Sequence, residues 1–344
     1  MPDTAKNTID IEAIVNDILG TIEREREREI ISRRFGLFDR KETLEQIGEL
    51  LGITRERVRQ LEKVVISRLK NSGEKDLPHI TDIQKDFVQH LINTGNVSRI
   101  SNITTLFTED NSRINQSRVS FLASLCPKLI VIDDNDNFYH SVAIASVHNE
   151  RQLKDQVNAI VSSIKQLGKP ATINVVAKLV KDSDIKHVGA LASTSKQLAT
   201  LNGTWGLVKW PTVNPKNIRD KIYVILHING KPLHFNDIAK AIKASDFKRK
   251  DVTTQAIHNE LIKDNRFVLI GRGIYALKEW GFSKGTVSDI ITDVLKDAGE
   301  PLHRDEIVKR VLKSRQVKET TILLNLQGKA QFRRVAKATY TLAD

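Results

Sequence analysis

The segment Thr43-Leu44-Glu45-Gln46-Ile47-Gly48-Glu49-Leu50-Leu51-Gly52-Ile53-Thr54-Arg55-Glu56-Arg57-Val58-Arg59-Gln60-Leu61-Glu62 reads as two short helices joined by a tight turn. Thr43, with Gln46 three residues on, is a capping box in which each side chain satisfies a backbone N–H that helix geometry leaves unpaired. Leu44, Ile47, Leu50 and Leu51 form an apolar stripe at helical spacing. Gly52 then stops the helix where the turn needs a residue tolerant of positive φ. Thr54 caps a second helix whose buried side is Val58, Leu61 and Val65. Two helices in this relation make a helix-turn-helix.

The opposite side of the second helix carries Arg55, Glu56, Arg59, Gln60 and Lys63 on one solvent-facing surface. Arginine can fork onto guanine O6 and N7, glutamine can do the same to adenine, and glutamate can accept from cytosine N4. A charge run on a helix is ordinarily no more than a solvated face. Here a capped first helix, a glycine turn and a mixed donor and acceptor set coincide, so a base-reading face is the preferred interpretation. Thr54 and Arg57, at the helix entrance, complete the candidate DNA-binding set.

Upstream lies Glu23-Arg24-Glu25-Arg26-Glu27-Arg28-Glu29-Ile30-Ile31-Ser32-Arg33-Arg34-Phe35-Gly36-Leu37. With the helix-turn-helix, this stretch resembles region 4 of sigma-70-type transcription factors, over about Ile11 to Lys70. The resemblance implies that Arg55, Glu56, Arg59 and Gln60 read or clamp double-stranded DNA at a −35-like promoter element. It also implies that Arg33 and Arg34 meet phosphates, and that the module docks on RNA polymerase at the flap of its β subunit. A complete sigma factor has earlier regions that hold the core enzyme and capture melted bases on aromatic side chains, whereas about ten residues precede this module. The module also begins the chain, where region 4 normally ends it. The expectation is therefore a sigma-like accessory factor or regulator of initiation in a bacterial system, lacking region 2.

Beyond the polar stretch Asn71-Ser72-Gly73-Glu74-Lys75-Asp76, read as a linker, the chain shows a weak internal repeat. Helix-period apolar patterns end at Gly95, Gly168, Gly230 and Gly299, the last three reading Gly168-Lys169-Pro170, Gly230-Lys231-Pro232 and Gly299-Glu300-Pro301. A second helix is expected after each of these three (Val175 to Val180, Phe235 to Ile242, Arg304 to Val311), then a third, then a β-hairpin. The hairpin is clearest at Phe267 to Ile270 and Ile274 to Leu277 around Gly271-Arg272-Gly273. Others are expected at Phe332 to Val335 with Thr339 to Leu342, in the region of Trp205 to Trp210, and at Leu129 to Ile132 with Phe138 to His140. Three helices and a hairpin are the order of a winged helix.

The stretches Gly230-Lys231-Pro232-Leu233-His234-Phe235-Asn236-Asp237-Ile238 and Gly299-Glu300-Pro301-Leu302-His303-Arg304-Asp305-Glu306-Ile307, with hairpins ending at Tyr275 and Tyr340, resemble the HARE-type winged-helix domain. That domain is known from the delta subunit of bacterial RNA polymerase and from chromatin and restriction-associated proteins. The likeness leaves open a polymerase-associated factor without sequence-specific binding, or the recognition part of a restriction or repair system. His234 and His303 occupy matching places. No second ligand recurs at metal spacing, so they are read as capping or packing residues.

The net charge of +12 is unevenly spread: residues 1–72 are about neutral, 73–214 about +2 and 215–344 about +10. Clustering of this kind points to a polyanionic partner more than an even excess would. Lys248, Arg249, Lys250, Arg315, Lys318, Arg333, Arg334 and Lys337 are the candidate phosphate contacts there. Enzyme signatures are not found: Gly271-Arg272-Gly273 sits in a hairpin setting, and no Gly-Lys-Ser/Thr follows a phosphate loop. Asp133, Asp134 and Asp136 read as an acidic turn between strands before a cation site. Cys126, the one cysteine, is expected in a core. Asp3, Asp10, Glu12 and Asp17 contradict a secretory signal, and no apolar stretch reaches the roughly 20 residues needed to span a bilayer. A cytoplasmic protein without membrane association, metal, cofactor or catalytic activity is expected; the oligomeric state is unassigned.

The fold class that follows is mostly α: a helix-turn-helix module over residues 1–72, self-contained with its own caps and core, then serial winged-helix (α+β) units. These are placed at 78–145, 152–212, 215–282 and 283–344.

Overall fold

The computed structural model describes residues 10–247, 251–282, 284–315 and 317–343. They divide into two compact units, Met1–Lys209 and Trp210–Asp344. The first opens with four helices: α1 (Ile11–Gly20), α2 (Glu25–Phe35), α3 (Leu44–Leu51) and α4 (Arg55–Asp76). The stretch read as a linker, residues 71–76, is the end of α4, which runs for 22 residues. Earlier in the same helix Val65 and Leu69 are anchored in the core.

Two α+β repeats follow in this unit. The first comprises α5 (Ile80–Thr94), β1 (Val97–Arg99), α6 (Ile100–Phe107), α7 (Arg113–Leu125), β2 (Leu129–Ile132) and β3 (Ser141–Ile144). The second comprises α8 (Glu150–Leu167), β4 (Ala171–Thr172), α9 (Ile173–Val180), α10 (Ile185–Thr194), β5 (Leu198–Leu201) and β6 (Thr204–Leu207). The C-terminal unit holds two more. One is α11 (Ile218–Asn229), β7 (Leu233–His234), α12 (Phe235–Ala244), α13 (Thr254–Lys263), β8 (Phe267–Gly271) and β9 (Ile274–Leu277). The other is α14 (Val287–Ala298), β10 (Leu302–His303), α15 (Arg304–Ser314), α16 (Glu319–Gly328), β11 (Phe332–Ala336) and β12 (Thr339–Leu342).

All four repeats have the winged-helix order, with one element the periodicity did not signal. A strand of two or three residues follows the first helix and pairs antiparallel with the last strand, giving the sheet orders β1-β3-β2, β4-β6-β5, β7-β9-β8 and β10-β12-β11. Strands this short show no alternation to read. Their position is set by the glycine stop before them, left-handed at Gly95, Gly168, Gly230 and Gly299.

Two hairpins are displaced from the expected places. In the second repeat the strands flank Asn202-Gly203, both at positive φ, the two-residue turn whose twist suits a hairpin. The tryptophan-rich stretch only begins there. In the first repeat, Phe138 to His140 is loop, because Asn135 Oδ1 accepts from the Asn137 and Phe138 N–H groups and Asp134 Oδ1 accepts from that of His140. The strand starts at Ser141. The acidic turn is therefore occupied by its own backbone and by Lys196, whose Nζ lies 2.8 Å from Asp134.

Among the described residues the first module has only a small core of its own. Only Ile30, Ile47 and Val58, with Leu44, Leu51, Ile53 and Leu61 against them, form the small cluster beneath the helix-turn-helix. Ile11, Ile14, Val15 and Ile18 of α1, Ile31 of α2 and Val65 and Leu69 of α4 belong to one larger cluster with α5, α6, α7, β2 and β3. Cys126 is buried within it, its thiol donating to Leu122 O at 3.3 Å. Arg118 of α7, 9% exposed, reinforces the junction: its guanidinium donates to Leu37 O at 2.8 Å and pairs with Glu12 at 2.9 Å. The self-contained module expected from its caps is thus fused to the first repeat, because α1 and the second half of α4 have nothing else to bury against.

The second repeat docks on the first through its third helix. Gly95 lies so close to α10 that a Cβ there would sit 2.6 Å from Lys186 O. Arg99 stacks on Tyr139 at 3.8 Å and donates to Ser193 O, while Tyr139 N donates to Thr194 O at 2.8 Å. No helix among the described residues is long and apolar enough to cross a membrane.

Candidate nucleic-acid interface

The capping predicted from sequence is present at both helices. Thr43 Oγ1 accepts from Gln46 N at 3.3 Å and Gln46 Oε1 accepts from Thr43 N at 2.9 Å, while Thr54 Oγ1 accepts from Arg57 N at 3.2 Å. Gly52 is left-handed at φ 63°, and Ile53 N turns back onto Gly48 O at 2.9 Å. Gly48 has a role the spacing did not reveal: a Cβ there would lie 2.7 Å from Ile53 O, so only glycine lets the turn fold back onto α3. Leu50, counted in the apolar stripe, is instead 55% exposed.

The expected reading face is exposed on α4. Glu56 lies at its hub: the Arg59 guanidinium forks onto its carboxylate at 2.8 and 2.6 Å, and Gln60 Nε2 donates to it at 3.3 Å. Arg57 Nη1 donates to Gln60 Oε1 at 3.4 Å, and Arg55 pairs across to Glu45 of α3 at 2.7 Å. The Arg59 fork draws the Glu56 carboxyl down to about 2, so it is ionised at any physiological pH. With both partners more than half exposed, solvent screens such pairs strongly. They hold Arg59 and Gln60 in place at low cost and can be exchanged for a base edge or a phosphate. Lys63 is exposed further along the same helix.

Arg33 and Arg34, read as phosphate contacts, have intramolecular partners. Arg33 bridges Glu29 and Glu42, each at 2.9 Å, and these two carboxylates raise its pKa. Arg34 pairs with Glu62 at 3.2 Å. Beside them Glu27, 5% exposed, is held by Arg68 at 2.8 Å and Arg24 at 3.4 Å. These ties set the angle between α2 and α4, and through it the presentation of the reading face. The alternating Glu-Arg run of α2 gave no sign that one of its glutamates would be buried.

The other candidates separate by environment. Lys248, Arg249 and Lys250 lie outside the described residues. Arg315 is turned inward, donating to Gly285 O, and burial lowers its pKa. Lys318, Arg333, Arg334 and Lys337 are exposed. His234 and His303 cap α12 and α15, accepting from Asn236 N at 3.2 Å and Asp305 N at 3.4 Å, as the capping interpretation expects. Among the described residues no group of three His, Cys, Asp or Glu is arranged to hold a metal ion.

Residues 24–71 match the sigma-70, region 4 family. Three relatives align over the same region. RNA polymerase sigma factor sigB of Arabidopsis thaliana is 50% identical over 58 residues, 17% of this chain and 9% of that protein. RNA polymerase sigma factor SigA of a Bacillus species is 38% identical over 76 residues, 22% of this chain and 18% of that protein. RNA polymerase sigma factor RpoD of Helicobacter pylori is 44% identical over 64 residues, 18% of this chain and 9% of that protein. The matched segment spans less than a fifth of the length of each relative, and comprises α2, α3 and most of α4.

Proposed function

We propose that this chain is a sigma-like factor of transcription initiation that binds double-stranded DNA by laying α4 in the major groove and engages RNA polymerase. The observation that carries this reading is the exposed set Glu56, Arg59, Gln60 and Lys63 on a capped second helix, inside the segment that matches sigma-70 region 4. An α-helix fits the major groove, and this set supplies both donors and acceptors to base edges there. A −35-like promoter element is the expected target, and the flap of the polymerase β subunit the expected protein contact. The reading includes no catalytic step: the protein acts by occupying DNA and polymerase together.

Duplex binding by the full chain tests this directly. Arg59→Ala and Gln60→Ala should each weaken binding to a −35-like duplex by about 1–3 kcal/mol while leaving binding to scrambled duplex nearly unchanged. Equal losses on both duplexes would remove the base-reading assignment. Co-purification with RNA polymerase that survives DNase treatment, combined with no sequence preference, would favour a polymerase-associated factor whose helix-turn-helix meets protein alone.

A further inference from the structure

Where the first module meets the first repeat, packing is not continuous. Beside the shared apolar cluster the junction leaves a cavity of about 380 Å³, within the roughly 300–1,000 Å³ of small-molecule pockets. Its walls come from both sides of the boundary. Lys41 and Glu62 belong to the module, while Ser117 of α7, Asp133 and His140 belong to the first repeat.

Most of the charges at the cavity are already engaged. Arg34 and Glu62, which both border it, pair with each other at 3.2 Å, and Asp134 is taken by Lys196 at 2.8 Å. His140 is accounted for as well: its Nε2 lies 2.8 Å from Ser120 Oγ, and burial pushes its pKa down, so the ring is neutral at pH 7. Two charges are left. Lys41 and Asp133 are exposed, and neither has an ion-pair partner among the described residues. Both lie near enough to act on the His140 ring, the carboxylate raising its pKa and the ammonium lowering it. One cavity therefore carries a free cation and a free anion.

Those two charges limit what can be held there. A phosphate or other simple anion would gain Lys41 and be repelled by Asp133, and a simple amine would meet the reverse. An apolar molecule would cover both charges and leave them with neither water nor partner. A molecule with charges of both signs satisfies the two at once. Phe35 and Val131, each partly buried against the adjoining core, give such a molecule an apolar wall, and Ser117 offers it a hydroxyl.

We propose that the cavity between the region 4-like module and the first repeat binds a small zwitterion of the amino-acid class, its carboxylate on Lys41 and its ammonium on Asp133. The test is calorimetric titration of the full chain with the standard amino acids, then with ω-amino acids whose ammonium and carboxylate lie progressively further apart. At least one should bind at one site per chain. Its N-acetyl and amide derivatives, each lacking one charge, should bind about tenfold more weakly or worse. That comparison is made on the unsubstituted chain, so it does not depend on how well a variant folds. Lys41→Ala and Asp133→Asn should each weaken the intact zwitterion by a similar factor. Lys41→Ala should cost the amide nothing further, and Asp133→Asn should cost the N-acetyl derivative nothing further, a pattern that general loss of structure would not give. The proposal is overturned if no member of the series binds, if inorganic phosphate or ethylamine binds as tightly as the zwitterion, or if both substitutions leave binding unchanged. Binding is measured without DNA, so the result stands apart from base reading by α4.

Discussion

The reading helices and the last repeat have cores of opposite kinds. Beneath α3 and α4 three residues are fully enclosed, Ile30, Ile47 and Val58, and the rest of the burial in that module is shared with the first repeat. The last repeat keeps a cluster of its own, with eleven buried residues from α14, α15, α16 and the sheet, from Ile290 to Tyr340. A segment can look like a complete domain in sequence, with caps, stripe and turn, and still depend on its neighbour for the hydrophobic area that makes it stable. Area buried is what offsets chain entropy, and three enclosed side chains offset little of it.

The largest expected effect follows from cutting at this boundary. A fragment of residues 1–76 should show no steep cooperative melting transition, because the faces of α1 and α4 that meet α5 to α7 would be exposed to water. Residues 1–209 should melt cooperatively, and residues 210–344 should do so by themselves. A sharp transition for 1–76, followed by circular dichroism, would show that the small cluster suffices.

A smaller effect should come from the polar tie across the same boundary. Arg118→Ala removes the donor to Leu37 O and the partner of Glu12. Loss of a buried, charge-assisted bond of this kind costs about 2–4 kcal/mol, measured by urea denaturation of the full chain. A cost below about 0.5 kcal/mol, the range usual for surface substitutions, would mean that apolar packing alone holds the junction.

The smallest effect should be a pH dependence of the N-terminal unit. Burial lowers the pKa of His90, of His140 and, with the charge of neighbouring His187 adding to it, of His148. A histidine depressed in the folded state stays neutral there while the unfolded chain takes up a proton. Stability is therefore full above the unfolded value near 6.5 and declines as pH falls below it toward the folded values. His148 stacks on His187 at 5.0 Å with Nε2 atoms 3.1 Å apart, an arrangement that cannot hold a proton on both facing nitrogens. Melting of residues 1–209 should fall between pH 7.5 and 5.5, and His148→Gln should flatten the fall. Melting that is independent of pH in this window would contradict it.

Local chemistry explains what the sequence by itself determined. The capping box at Thr43 and Gln46, the left-handed Gly52 and the exposed face at Glu56, Arg59 and Gln60 each depend on residues within one or two helical turns, so they are legible from spacing. The glycine stops at Gly168, Gly230 and Gly299 and the hairpin around Gly271-Arg272-Gly273 are legible for the same reason. The Asn202-Gly203 turn is a local signal of the same kind, two residues at positive φ between paired strands. What the tertiary structure decided depends on residues far apart in the chain. Glu27 is buried because Arg68, 41 positions away, closes over it, and Arg118 is buried because Leu37 and Glu12 meet it from another module. The strands β1, β4, β7 and β10 exist only because a hairpin edge passes beside them. Arg315 and Arg333, alike in sequence as basic residues of one repeat, differ because one is drawn inward to Gly285 O and the other lies on an exposed strand. Periodicity reports which face of an element is apolar. Only the assembled fold determines what covers that face, and so which charges remain at the surface for a partner.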